Sequence, residues 1–446
     1  MAKKGMTPAR KRKLNHQLSH LESRGLVRVS QLEPEIEYLF RHALVQDAVY
    51  ETLLKSDRKK LHRRVADTLE SLYPDRLDEL AGLLAHHLAA AGENARAYGY
   101  YLRAADRASS AYAHEETIQH IEAALRLPGL TIPIETRLPL LERIGNAHNS
   151  LGHVLQAIAT FQLAVGQWDN VGTGNAATTI HWLAKVVSCA ANAGWHLSDE
   201  PHAEVLTASL PNRDRLIALL DSTEGETPSR EIVQGYVALA EDASVRDKPP
   251  DVAQAERRAR RAVEIAERLD DPLALISSLS VLNNLYGLQG LFRERYEVAL
   301  RQMALLQSPS LSDPRARLEP LIDAATSAMY IGDFRQTLTY AQEYGRLARQ
   351  LEEVGKLRVA LELQTYALFR LDRWDEVLPS LDETLALGKQ YAHERLSLPC
   401  FTIAVAAAVH FLRGEADAGA SRRDEAYQIM TGRDNNEARW DRVQHM

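Results

Sequence analysis

The chain has 446 residues, 45% of them hydrophobic and 25% charged, with a formal net charge of −7 at pH 7. That composition excludes wholesale disorder, and the length asks for two to three domains or a repeat array. Two distant cysteines, Cys189 and Cys400, exclude a disulfide framework and a cysteine-built zinc site, which suits a reducing, cytoplasmic setting.

Residues 1–13 carry six positive charges and no negative one. They lack the apolar core of a signal peptide, and the stretch up to Pro8 is expected to fray. From Ala9 a helix is predicted on Leu14, Leu18 and Leu21, ending at Gly25. Leu26 to Val29 reads as a short strand, Gln31 to Glu35 as a turn, and Ile36 to Phe40 as a returning strand. Helix followed by hairpin is the back half of a winged helix. From His42 onward only helices are predicted. Leu44, Val45, Ala48, Val49 and Leu53 give one apolar face, and Ser56 can cap the next helix. Leu61 to Leu72 and Leu77 to Leu88 continue the pattern to Gly92. The best membrane-span candidate, Phe401 to Phe411, is short and carries Thr402 and His410, so it predicts a buried helix.

An all-helical stretch this long cannot bury its faces in one core and must be a stack of hairpins. Residues 138–171 fit the 34-residue tetratricopeptide pattern. Leu141, Ile144, Gly145 and His148 supply the first helix, Gly152 the turn, and Ala157, Phe161 and Ala164 the second. Leu88 to Ala104 gives another hairpin and Thr117 to Ala124 a degenerate third. Later turn centres at Gly290, Gly332, Asp372 and Gly414 are spaced by 42, 40 and 42 residues, so these units carry longer helices. Residues 172–250 are the least regular.

Charge is uneven along the chain. Residues 1–64 hold 15 Lys and Arg against 7 Asp and Glu, a net of +8, while the remainder nets −15. A basic head on an acidic body marks either nucleic-acid contact or two modules with different surfaces; the second reading is favoured.

Tyr38 to Tyr50 (YLFRHALVQDAVY), Leu53 to Ala66 (LLKSDRKKLHRRVA), Leu84 to Gly92 (LAHHLAAAG) and Ala97 to Leu127 together resemble one bacterial family. In it a signal-transduction ATPase of the STAND type, often preceded by a nucleotide cyclase, is followed by a winged helix and tetratricopeptide repeats. The resemblance spans about residues 14–127 and is generic over 131–446. It implies the C-terminal half of such a regulator without its ATPase and cyclase domains. No Gly-x4-Gly-Lys-Ser/Thr string is present to wrap phosphates, and Gly355-Lys356 and Gly388-Lys389 lack both the earlier glycine and the hydroxyl.

Other chemistry reads weakly. Gly172 to Ala177 satisfies G-x-G-x-x-A, but it follows a repeat helix rather than a strand, so Asn or Thr capping the next helix is the better reading. His16 with His20, His86 with His87, and His114 with His120 show no third or fourth ligand, and no metal is expected. There is no Gly-x-Ser-x-Gly elbow, and acidic pairs such as Glu115-Glu116 read as solvated faces. No enzymatic activity and no cofactor are expected.

The sequence therefore predicts a mostly α protein. A partial winged-helix module is expected over 1–62, a helical junction with the first degenerate hairpins over 63–130, and a tetratricopeptide-like α–α superhelix, a solenoid, over 131–446. First helices of such a stack line a concave wall that holds extended peptides or partner helices. Glu142, Asn146, Asn149 and Ser150, with Asn284 in a later unit, are the expected groove contacts, because side-chain amides pair with main-chain groups. The expected role is a non-catalytic interaction or sensor module without membrane association, with a protein or peptide partner. A separate ATPase or cyclase polypeptide is one such partner. The alternatives are a regulatory portion of an ATPase or adenylate cyclase, or a DNA-binding regulator that uses Arg10, Lys11, Arg12, Lys13 and Arg24 on phosphates.

Overall fold

The computed structural model describes residues 8–31, 37–171, 175–193, 199–223, 227–246, 250–308, 311, 313–351, 353–390 and 400–432. The chain falls into two compact units, Met1–Ala111 with Gln119–Thr131, and Tyr112–Ile118 with Ile132–Met446.

In the first unit, α1 (Pro8–Ser23) is followed by Gly25, whose φ of +72° ends the helix as expected. Strands β1 (Val27–Gln31) and β2 (Glu37–Phe40) pair antiparallel, with Val27 opposite Phe40 and an irregularity between Val29 and Gln31. Gln31 belongs to β1; the rest of the expected turn lies outside the described residues. Next come α2 (Ala43–Thr52), α3 (Lys55–Leu72), α4 (Ala81–Ala91), α5 (Asn94–Ser110) and α6 (His114–Leu125), of which the part from Gln119 onward belongs to this unit. Helix α3 runs unbroken through residues 62 and 63. Ser56 does not cap it. The cap position is Leu54, two residues earlier, whose aliphatic side chain has no acceptor to offer. Ala66, Leu84, Leu88 and Ala97 form the buried core that joins α3, α4 and α5.

Helices are the regular elements among the second unit's described residues: α7 (Ile134–Ser150), α8 (Val154–Val171), α9 (Ala176–Asn192), α10 (Asp199–Ala208), α11 (Leu210–Ser222), α12 (Arg230–Val245) and α13 (Val252–Leu269), then α14 (Pro272–Leu288), α15 (Phe292–Leu305), α16 (Leu318–Tyr330), α17 (Phe334–Gln350), α18 (Val354–Arg370), α19 (Trp374–Gln390), α20 (Cys400–Leu412) and α21 (Ala416–Gly432). Consecutive helices pack as antiparallel pairs: α7 with α8, α12 with α13, α14 with α15, α16 with α17, α18 with α19, and α20 with α21. Helix α9 is the exception, since α11 packs on it and α10 intervenes.

One turn chemistry recurs. Gly152, Gly290, Gly332, Asp372 and Gly414 all sit at positive φ, between 58° and 83°. At each, the next amide reaches back five residues: His153 to His148 O, Leu291 to Tyr286 O, Asp333 to Ala328 O, Arg373 to Leu368 O and Glu415 to His410 O, all within 2.8–3.0 Å. That closes the orphan carbonyls of the outgoing helix. Asp333 then caps α17 by accepting from the Gln336 amide at 3.1 Å.

Helix α20 buries Thr402, Ile403, Val405, Ala406 and Val409, as its apolar run predicts. Among the described residues no helix is long and apolar enough to cross a membrane.

Candidate partner-binding face

The hairpins stack so that first helices touch first helices: α9 on α12, α12 on α14, α14 on α16, α16 on α18, and α18 on α20. Polar side chains on these helices meet across helix boundaries.

Glu142 on α7 begins the line. Its Oε1 lies 3.3 Å from His181 Nε2 and 3.0 Å from Lys185 Nζ, both on α9. The hydrogen bond from His181 and the Lys185 charge outweigh burial and hold the Glu142 carboxyl at about 2. His181 Nδ1 in turn lies 3.0 Å from Gln234 Oε1 on α12. Burial opposes charge on that imidazole, but its bonds to Glu142 and Gln234 prevail and its pKa is raised. Three successive first helices are thereby tied by one chain of polar contacts.

Asn146 is exposed and accepts from Lys185 at 3.3 Å. Asn149 is exposed and accepts from the Cys189 thiol at 3.6 Å. Burial pushes that thiol up to about 12, so it is no nucleophile. Ser150 and Asn284 are exposed on α7 and α14. The neighbour of Asn284, Asn283, is fully buried instead; it donates to Ser327 Oγ at 3.0 Å and accepts from Arg295 Nε at 3.0 Å. The structure thus brings Glu142 and Asn146 together on Lys185, sets Asn149 against Cys189 of the same helix, and leaves Asn284 apart from them on another helix.

Farther along the stack are three carboxyls without an ion-pair partner among the described residues: Glu241, Glu319 and Asp323. Ser188 on α9 donates to Glu241 on α12. Burial, with the Glu319 charge adding to it, pushes Glu241 up to about 7 against the Ser188 and Asn192 hydrogen bonds. Asp323 on α16 is 5% exposed. It accepts from Ser280 Oγ at 2.5 Å and from Gln302 Nε2 at 3.0 Å, and burial pushes it up to about 7 as well. Glu319 is reached by solvent, yet the helices crowding its carboxyl make desolvation the leading cause of its upward shift. Lys356 lowers Glu319 from a distance while pairing directly with Glu353 at 2.8 Å.

Sequence reading missed His181, Lys185, Gln234, Glu241 and Asp323. The signal was there: each lies on the polar flank of a first helix. Aligning those helices on their turns, rather than within one 34-residue unit, would have exposed it.

The alternative phosphate contacts lie in the first unit. Arg12, Lys13 and Arg24 are exposed, while the side chains of Arg10 and Lys11 lie outside the described residues. Gly172 to Gly174 also lie outside them, but Asn175 caps α9 by accepting from the Thr178 amide at 3.3 Å. His16 and His20 are exposed on α1. His87 is joined by a residue not singled out before, His62 on α3, with their Nδ1 atoms 2.8 Å apart. No group of three or more His, Cys, Asp or Glu among the described residues could hold a metal ion. A solvent-open depression along α3, between Lys60, Arg64 and Leu72, is lined by that single helix.

No family model matches the chain, and no curated protein sequence matches it significantly. Among solved structures it is similar to the Signal Transduction ATPase with Numerous Domains (STAND) protein with a tetratricopeptide repeat sensor from Pyrococcus horikoshii. The TM-score is 0.53 at 12% identity, over 96% of this chain and 59% of that one. It is also similar to a Rap protein complexed with Competence and Sporulation Factor, with TM-score 0.46 and 14% identity over 79% of this chain and 92% of that one. BtubC from P. vanneervenii gives TM-score 0.44 and 18% identity over 51% and 91%. At such identities the likeness shows the fold alone: a tetratricopeptide-like helical superhelix.

Proposed function

We propose that this chain is a non-catalytic sensor or scaffold whose second unit holds a protein or peptide partner along the first-helix face. One observation carries the reading. Polar contacts run across helix boundaries, from Glu142 through His181 to Gln234 and from Ser188 to Glu241. A wall built this way is pre-organised, so an extended ligand can exchange hydrogen bonds with it at little ordering cost.

The sequence resemblance over residues 38–127, together with the fold shared with a tetratricopeptide sensor, supports a finer reading. On it, the chain is the sensor half of a STAND-type regulator, α1 with the β1–β2 ribbon is the remnant of a winged helix, and the partner is a separate ATPase or cyclase polypeptide in the cytoplasm. Ligand on the face would then shift that partner between two states.

The test is selection of peptides from a random displayed library against the full chain, followed by affinity measurement on variants. Gln234→Ala and Asn284→Ala should each weaken the selected peptides roughly tenfold, at about 1.4 kcal/mol, and Arg349→Ala on the second helix α17 should not. Equal affinity across all three variants would sink the reading. The full chain should show no ATP turnover above background, and a duplex-DNA mobility shift that weakens steeply with salt would instead favour the basic α1 as a nucleic-acid contact.

A further inference from the structure

Helix α3 is apolar on two sides, and only one of them is covered. Ala66 and Leu69 join the core with Leu84, Leu88 and Ala97. By contrast Leu61 is 46% exposed, Val65 40% and Leu72 60%, and Leu54 at the cap position is 69% exposed. Leu54, Leu61, Val65, Thr68 and Leu72 follow one another at steps of seven, four, three and four residues. At about 100° per residue they fall within a band about 60° wide, the narrow seam of a coiled coil rather than the broad face of a core helix. Arg58 alone interrupts the band, and its guanidinium turns back to α2, donating to Glu51 O at 2.9 Å and Leu53 O at 3.0 Å. The outermost helix of a helical stack ordinarily shows water a polar face; this one shows a seam.

Charge states what suits it. Lys60 and Arg64 stand on the open flank of the band, and the shallow depression between Lys60, Arg64 and Leu72 runs along it. Arg64 has no ion pair among the described residues, and Lys60 only reaches Asp57 at 3.3 Å, with both side chains in solvent. The acids farther along are already held, since Arg96 of α5 donates to Asp67 at 3.1 Å and to Glu70 at 2.6 Å. The charge left unbalanced beside the seam is positive. A second copy of the same face would bring the same positive charge to it. An anionic membrane suits a wider apolar arc and a rim without Asp57 and Asp67, and a nucleic-acid backbone makes no use of the leucines.

We propose that α3 is a docking edge for one amphipathic helix of an acidic partner protein, which sets apolar residues at three-and-four spacing against Leu61, Val65 and Leu72 and carboxylates against Lys60 and Arg64. The apolar seam supplies the buried area, and the charged flank selects the sign of the partner. The surface lies in the first unit and does not depend on what the second unit holds.

Two synthetic three-heptad peptides test it. Both carry leucine at the seam positions; one has glutamate at every flanking position and its twin has lysine, and like charges keep either from pairing with itself. Fluorescence anisotropy against the full chain should show the glutamate peptide bound roughly tenfold more tightly than the lysine twin. Val65→Gln, at an exposed site, should weaken the glutamate peptide roughly tenfold, Arg64→Glu should reverse the preference, and Gln234→Ala in the second unit should change neither. Unchanged circular dichroism of the variants shows that they fold. Equal binding of the two peptides, binding of neither, or a glutamate peptide indifferent to Val65→Gln would overturn the proposal. Self-association of the chain, or binding to phosphatidylserine vesicles, that Val65→Gln abolishes would overturn it too, assigning the seam to a second copy or to a membrane.

Discussion

A Cβ placed on Gly145 of α7 would lie 2.3 Å from Cε1 of Phe161 on α8. The phenyl ring occupies the space that any side chain at 145 would need, and the hairpin closes on that fit. Gly145→Ala should therefore destabilise the α7–α8 hairpin by about 2 kcal/mol, the overpacking cost exceeding the better helix propensity of alanine. Local amide exchange of the pair measures it. The cost should shrink when Phe161→Leu is added, because the two side chains compete for one volume.

Asp372 holds the left-handed position that glycine holds at Gly290, Gly332 and Gly414. Asp372→Gly should stabilise the α18–α19 hairpin by about 1 kcal/mol. A rise in local exchange protection of α18 and α19 would show it, and an unchanged or lower value would contradict the strain argument.

The Glu142–His181 contact has a pH window with two edges. Glu142, held at about 2, stabilises the fold above the ordinary carboxyl range and loses this as pH falls toward that value. His181, raised, stabilises below its unperturbed value and loses this as pH rises through its folded one. Glu142→Gln should cost about 2 kcal/mol at mildly acidic pH, and in a pH series of urea melts the difference from the unaltered chain should close at low pH and narrow above neutrality, where the Lys185 pair remains.

Asp323 and Glu241 carry the opposite sign. Their carboxyls, pushed up to about 7, bind protons in the folded chain that the unfolded chain has already released. Stability should fall as pH rises toward and past neutrality. Asp323→Asn keeps acceptors for Ser280 and Gln302, so it should raise stability by on the order of 2 kcal/mol above about pH 8 and have little effect near about pH 4. An infrared carbonyl band of a protonated carboxyl, lost near neutrality and diminished in the variant, would assign the proton.

Cys189 is 7% exposed, and burial pushes its thiol up to about 12. Iodoacetamide should leave it unmodified in the folded chain and label it fully in denaturant, read by mass spectrometry of its peptide. Rapid labelling under native conditions would mean that α9 opens readily.

The hairpin stack was legible in the sequence because its cause is local. Spaced small residues, a glycine or aspartate at each turn and apolar periodicity act within some forty residues, so Gly152, Gly290, Gly332, Asp372 and Gly414 announce their own backbone conformation. The chemistry of the face was not legible in that way. Glu142 owes its depressed pKa to a helix that begins more than thirty residues on, and Asp323 owes its raised one to burial among α14, α15 and α16. His62 met His87 only once α3 had packed on α4. A turn is decided by the residues that make it; charge, desolvation and proton affinity are decided by whatever neighbours folding supplies, and only the tertiary structure assigns those.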